Sequence, residues 1–253
     1  MDLPAEPALS GEWHLDEGQG TTITDSSLNG STGTINGATW VDGKIGKALS
    51  FDGVDDYVRF SATNMPTSER TVELWFYTND ITATSRQLFG YGGNNNNPAY
   101  SSFLIYLASD KRTIIVHRHY PGGDVFTYTA PSPMTNAWYH LVFTTDSLGS
   151  KLYINGQLVI SNSVIISTYI SGKDGFIGAM PDGSGVGTYV DVNYPYFNGM
   201  IDEVAIYNRA LTAEEVLLLY NTGTLPPLTS TKFRTRTADT KEDLLSATWS
   251  NYY

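Results

Sequence analysis

The chain reads as an all-β protein, a sandwich or jelly roll with one short helix near its C-terminal end. Three observations predict this. Charged residues make up only 16% of the 253, while Gly, Thr, Ser, Asn and Tyr are plentiful, a composition that favours strands and turns. Alternating apolar and polar residues recur in short runs separated by turn-rich segments. Helical signal is confined to one stretch, residues 212–223.

Thr71-Val72-Glu73-Leu74-Trp75-Phe76-Tyr77 sets the pattern: Val72, Leu74 and Phe76 share one face, and Glu73, Trp75 and Tyr77 the other. Ser102 to Leu107, Thr113 to Tyr120, Trp138 to Thr145 and Lys151 to Ile154 continue the series. Lys151 to Val159 is a hairpin around Asn155-Gly156, the pair that best tolerates positive φ in a tight turn. In Gly199 to Tyr207, strict alternation places Met200, Asp202, Val204 and Ile206 on one face and Ile201, Glu203, Ala205 and Tyr207 on the other. The adjacent acids therefore point opposite ways, and Glu203 is expected to face solvent or a polar groove. In the helix, Thr212 caps with Glu215 three residues later, Leu211 staples onto Val216, and Gly223 supplies the stop.

Residues 1–8 read as an N-terminal lead, 9–223 as the main domain and 224–230, with its Leu-Pro-Pro-Leu, as a stiff linker. Thr231 to Thr237 alternates like a strand, with Ser246 to Ser250 as a partner. So short a segment buries little core alone, so 231–253 is expected to begin a following β-domain, or to be a tail packed back on the sandwich.

A formal charge of −11 argues against nucleic acid and anionic membrane surfaces as partners and leaves neutral sugars, cations and basic proteins open. No run approaches the roughly 20 apolar residues of a membrane helix. With no cysteine, stability must come from packing or from a metal.

Asp202 lies among apolar neighbours, where a carboxylate is costly unless paired, hydrogen-bonded or bound to a cation. Calcium is a natural candidate, since it takes carboxylate and carbonyl oxygens. Complementary oxygens lie in Asp25-Ser26-Ser27-Leu28-Asn29-Gly30, a loop able to wrap a cation; the alternative is an Asx-turn at Asp25 and an Asp202 satisfied by backbone amides. Asp52, Asp55 and Asp56 form a second acidic cluster, which reads as a turn through Asp52-Gly53. His117 and His119 share a strand face at a zinc-chelating spacing, without a third ligand in sight. For a ligand surface, Tyr and Asn suit sugars, because aromatic faces stack on C–H patches while amides and carboxylates bond hydroxyls. On that ground Tyr91, Asn94 and Tyr100 in one long loop, Asp191, Asn193 and Tyr196 in another, and Arg118 and His119 are the binding candidates.

Four motifs occur in order: Gly11 to Gly20 leading into Asp25-Ser26-Ser27-Leu28-Asn29-Gly30; Gly43-Lys44-Ile45-Gly46-Lys47-Ala48-Leu49-Ser50-Phe51-Asp52-Gly53; Trp138-Tyr139-His140-Leu141-Val142; and Phe197 to Gly223. Together, over residues 9–223, they resemble the LamG-like domains of the concanavalin A-like lectin/glucanase superfamily. The resemblance implies a two-sheet antiparallel jelly-roll β-sandwich. It further implies a module of an extracellular or cell-surface, multidomain protein that binds carbohydrate, often with a structural calcium, here carried over to Asp25, Asn29 and Asp202. A structural or adhesion role with a protein partner or neighbouring domain is the alternative. Hydrolases of the superfamily carry Glu-x-Asp-x-x-Glu on one strand face. Asp202-Glu203 lacks that spacing, Glu73 is the sole acid in its strand, and no nucleophile elbow or His-Glu-x-x-His is present, so a non-catalytic protein is expected.

Overall fold

The computed structural model describes residues 9–82, 84–92, 102–119, 125–168, 174–180, 195–225, 234–235 and 250–251. In chain order the strands are β1 (Leu9–Trp13), β2 (Thr22–Ile23), β3 (Gly33–Asn36), β4 (Thr39–Asp42), β5 (Lys47–Asp52), β6 (Tyr57–Ser61), β7 (Arg70–Tyr77) and β8 (Arg86–Gly92). There follow β9 (Ser102–Leu107), β10 (Thr113–His119), β11 (Val125–Thr129), β12 (Trp138–Asp146), β13 (Gly149–Ile154), β14 (Gln157–Asn162), β15 (Asp174–Ile177), β16 (Asn198–Tyr207), helix α1 (Ala213–Thr222), β17 (Arg234–Thr235) and β18 (Ser250–Asn251).

Two compact units divide the chain, Pro7–Thr224 and Met1–Glu6 with Leu225–Tyr253. The larger holds two antiparallel eight-stranded sheets. One runs β14-β13-β12-β7-β16-β5-β4 with β1 also on β16; the other runs β11-β10-β9-β8-β15-β6-β3-β2. In the smaller unit, Arg234 and Thr235 of β17 pair with Asn251 and Ser250 of β18.

Between the sheets lies an apolar core in which Val72, Leu74 and Phe76 of β7 meet Leu141 and Phe143 of β12, as alternation predicts. Rings lock the layers together: Trp13 to Phe60 at 4.5 Å and Phe103 to Phe143 at 5.6 Å. Such aromatic pairs bury large areas and add orientation preference. The opposite face of β7 is buried as well, with Trp75 2% and Glu73 3% exposed, because α1 lies over it. Tyr220 of α1 stacks on Trp75 at 5.6 Å.

Local signals produce the connections. Asn155 and Gly156 take φ of 51° and 74°, the double left-handed turn expected for this hairpin. Thr212 and Glu215 form a reciprocal capping box, and Gly223 closes α1 at φ 75°. Glu215 also chelates the Arg209 guanidinium, which fixes the approach of the chain to the helix.

Candidate functional site

Asp202 and Glu203 sit where β16 carries one residue more than its partner. Asp202 opposes Trp75 and Ala205 opposes Glu73, three steps against two, with Glu203 at φ 48°. This β-bulge overturns the strict alternation expected for the strand. Ile201, Val204 and Ile206 all reach the core, while Asp202, Ala205 and Tyr207 share the face beneath α1. Nor does Glu203 face solvent: it is 9% exposed, with Oε2 2.7 Å from Nδ1 of His14. Hydrogen bonding to Glu203 lifts the His14 pKa to about 9, and burial pushes Glu203 up.

Asp202 is fully buried and accepts three backbone amides, Lys44 (2.8 Å) and Ile45 (3.0 Å) on Oδ2 and Glu203 (2.9 Å) on Oδ1. Burial carries its pKa to about 7 even so. Nearby, Glu73 Oε1 lies 2.8 Å from His140 Nε2, and the Tyr207 hydroxyl also bonds Glu73. The Trp75 ring sits 4.8 Å from that of His140, and Lys44 Nζ lies 4.7 Å from the Trp75 ring centroid. Both Glu73 and His140 lie on the polar faces of predicted strands, but their pairing depends on which strands are neighbours, which composition does not reveal. These acids form a closed network under the helix, engaged with protein partners.

Asp25 behaves in the same way. Its Oδ1 accepts the amides of Glu12 (2.9 Å) and Ser27 (2.8 Å), and its Oδ2 that of Ser31 (2.7 Å). The Asn29 amide donates to the carbonyls of Leu9 and Ser10, both at 3.2 Å. Asp25, Asn29 and Asp202 are each engaged by the protein: the carboxylates serve two separate sets of amides, and Asn29 presents its NH2 to carbonyls. Among the described residues, Asp52, Asp55 and Asp56 are the set of three acids whose oxygens lie within 4.8 Å of one another. Asp52 Oδ1 accepts the Val54 amide at 2.8 Å and Asp56 Oδ2 that of Asp52 at 2.9 Å, the bonding of a self-stitched turn.

Of the binding candidates, Tyr91 is a correction. It is fully buried, its hydroxyl donating to the Pro66 carbonyl at 2.7 Å and accepting from Arg70 Nη1 at 2.8 Å. In β8 its ring points between the sheets and packs 5.9 Å from Phe89. Asn94, Tyr100, Asp191 and Asn193 lie outside the described residues, as does the His119 side chain, so the His117–His119 zinc reading falls there too. Arg118 is half-buried with Nη1 3.4 Å from Ser167 Oγ.

Tyr196 is half-exposed, and the structure brings to it a residue the sequence reading does not select. The Tyr57 ring, also half-exposed, lies 6.4 Å away and 5.8 Å from Phe176. Asp52 pairs with Asn198, which puts the acidic turn at the same end of the sandwich. Burial raises the Tyr196 pKa, with Tyr57 and Asp55 adding to it. The arrangement is two tyrosine faces beside exposed carboxylates. The available signal for Tyr57 is its place directly after Asp55-Asp56.

A laminin G model, described as the concanavalin A-like lectin/glucanases superfamily, matches residues 52–217. No curated protein matches the chain. Among solved structures, domain 4 of AbnA, a GH43 extracellular arabinanase from Geobacillus stearothermophilus in complex with arabinotriose, aligns with a TM-score of 0.62 at 24% identity. That alignment covers 85% of this chain and 99% of that one. The binding domain of botulinum neurotoxin DC in complex with rat synaptotagmin II aligns at 0.63 and 13% identity, over 86% of this chain and 52% of that one. The botulinum neurotoxin serotype G binding domain gives 0.63 and 15%, over 85% and 51%. At these identities the structural likenesses establish the fold.

Proposed function

The chain belongs to the concanavalin A-like lectin/glucanases superfamily, as a laminin G-type domain, and from that premise we propose that it is a non-catalytic, extracellular binding module for carbohydrate. One observation carries this reading: the half-exposed Tyr57 and Tyr196 rings beside Asp52 and Asp55. Aromatic faces stack on the C–H side of a sugar, and carboxylates accept its hydroxyls. The arabinanase domain supports the sugar class and an extracellular setting by fold likeness. A non-catalytic role is supported by the acids beneath α1, which are buried and bonded within the protein. No helix among the described residues is long and apolar enough to cross a membrane.

Titration calorimetry with arabinotriose, backed by a glycan array run with calcium and again with chelator, tests the reading. Binding that weakens in a Tyr57→Ala/Tyr196→Ala variant supports it; no binding to any glycan in either condition overturns it. Calcium at Asp25, Asn29 and Asp202 is the part of the proposal that the observed bonding does not favour. A melting temperature that drops on chelation in the native chain, and not in Asp202→Asn, would restore it.

A second reading, docking of a protein partner, has its own observation. Leu217 and Tyr220 of α1 approach Gly156, Leu158 follows on β14, and all three side chains are exposed. Exposed apolar groups gathered on one surface mark protein contacts.

A further inference from the structure

Tyr57 and Tyr196 stand where β6 and β16 begin; where the same two strands end, a different feature lies. The 66–69 loop after β6 and Asn208 after β16 border a cavity of about 460 Å³, closed on a third side by the Asp146-Ser147 turn and by Ile165. The ten residues of β16 separate the two ends by roughly 30 Å, too far for one binding site.

The chemistry of the lining is mixed in a particular way. Glu69 and Asp146 supply carboxylates, each able to accept from neighbouring hydroxyls of one ligand. Thr67, Ser68 and Ser147 supply hydroxyls that donate or accept, and Pro66 and Ile165 supply apolar surface. The volume falls within the roughly 300–1,000 Å³ of small-molecule sites.

The walls are held from below by a buried cation. Arg70 is 0% exposed and donates to the carbonyls of Ser68 (3.1 Å), Thr67 (2.7 Å) and Ile166 (2.9 Å). It also bonds the Tyr91 hydroxyl, which in turn holds the Pro66 carbonyl. One guanidinium thus fixes both the 66–68 wall and the wall carrying Ile165. Burying that charge against neutral acceptors is costly, and burial lowers the Arg70 pKa. That cost falls where it makes a cavity rigid before any ligand arrives, and preorganised walls reduce the entropic cost of binding.

We propose that this cavity is a second carbohydrate site, taking a single sugar unit or comparable polyol at the end of the sandwich remote from Tyr57 and Tyr196. The proposal rests on the carbohydrate reading above but not on the tyrosine pair. A metal ion is the poorer match, because the buried Arg70 charge opposes one and, among the described residues, the two carboxylates belong to no cluster of three His, Cys, Asp or Glu side chains. Vicinal hydroxyls use every group present: carboxylates as acceptors, side-chain hydroxyls as partners, and Pro66 and Ile165 against the C–H face.

The test is a two-dimensional amide spectrum of the ¹⁵N-labelled chain titrated separately with arabinotriose and with cellotriose. With at least one of the two, the amides of Ser68, Glu69 and Ser147 should shift. Glu69→Gln with Asp146→Asn should weaken that response about tenfold or more, the expected loss for two charged acceptors. The Asp146→Asn side chain keeps an oxygen for the Leu148 amide that Asp146 now accepts at 2.7 Å, so the turn is retained. In Tyr57→Ala/Tyr196→Ala the cavity shifts should persist. Shifts confined to the tyrosine end, or cavity shifts indifferent to the carboxylate variant, overturn this site and leave the carbohydrate reading standing. No shift anywhere with either sugar overturns this site, and the carbohydrate reading falls with it only where the glycan array is silent as well.

Discussion

Two regions of the sandwich concentrate polar groups, and they treat them in opposite ways. Beneath α1, Asp202, Glu73, His140 and Tyr207 are buried and bonded to one another or to backbone amides. At the ends of the strands, Tyr57, Tyr196, Asp55, Glu69 and Ser147 remain half-exposed or exposed. A buried carboxylate held by amides or by a histidine stabilises a shape and is shut off from a ligand arriving from solvent. The acids most conspicuous in the sequence therefore belong to the fold, and the residues suited to recognition are the less conspicuous ones at the ends.

The sharpest way to break this contrast is Glu73→Ala. It strands the His140 imidazole and the Tyr207 hydroxyl in an apolar setting and should cost about 3 kcal/mol or more in urea denaturation, with sugar affinity of the folded fraction unchanged. Next, Asp202→Ala leaves the Lys44, Ile45 and Glu203 amides without their acceptor, a loss of about 1–3 kcal/mol that should be the same with and without chelator. If either variant abolished sugar binding while remaining folded, the division between the regions would fail. On the other side, Tyr57→Ala/Tyr196→Ala should weaken binding about tenfold by calorimetry and disturb stability least of the three, since both rings are already half in water.

Stability should also respond to pH. Asp202 and His14 both have folded pKa values above their ordinary ones, about 7 and about 9. Each therefore binds its proton more tightly when folded. The Asp202 contribution is complete below its ordinary value of 3.8 and is lost as pH rises through about 7; that of His14 is complete below 6.5 and is lost through about 9. Melting temperature should thus fall between about pH 4 and 9, read by circular dichroism. His14→Gln should flatten the upper half of that slope and leave affinity at the strand ends untouched.

How much of this is visible in the sequence follows from the range of each signal. The β7 alternation, the Asn155-Gly156 turn, the Thr212–Glu215 box and the Gly223 stop are set by residues within a few positions, and each appears in the structure where the sequence places it. The family resemblance is legible because its motifs are also local runs. Asp202 stands out in the sequence as needing a partner, and of the two explanations open to it the amides are those the structure displays. The bulge is hidden because it is a mismatch between β16 and β7, two segments far apart in the chain. Tyr91 misleads because a tyrosine between two glycines looks like loop, whereas Gly90 and Gly92 continue β8 and leave the ring to the core. Glu73 and His140, like Arg70 and the Pro66 loop, meet only through tertiary folding, and no single-sequence pattern encodes that meeting.

Glu203 is, in the end, a matter of counting. Ile201 precedes it and Val204 and Ile206 follow, and all three reach the core only because one extra residue intervenes. Remove it, and the strand returns to plain two-residue rhythm with each core side chain still on its own side. A chain one residue shorter would keep the same sandwich while His14 lost the nearer of its two acids and kept Glu12, 3.6 Å away. The residue is an inserted beat: the ladder can do without it, and what it adds is a buried carboxylate 2.7 Å from the His14 imidazole.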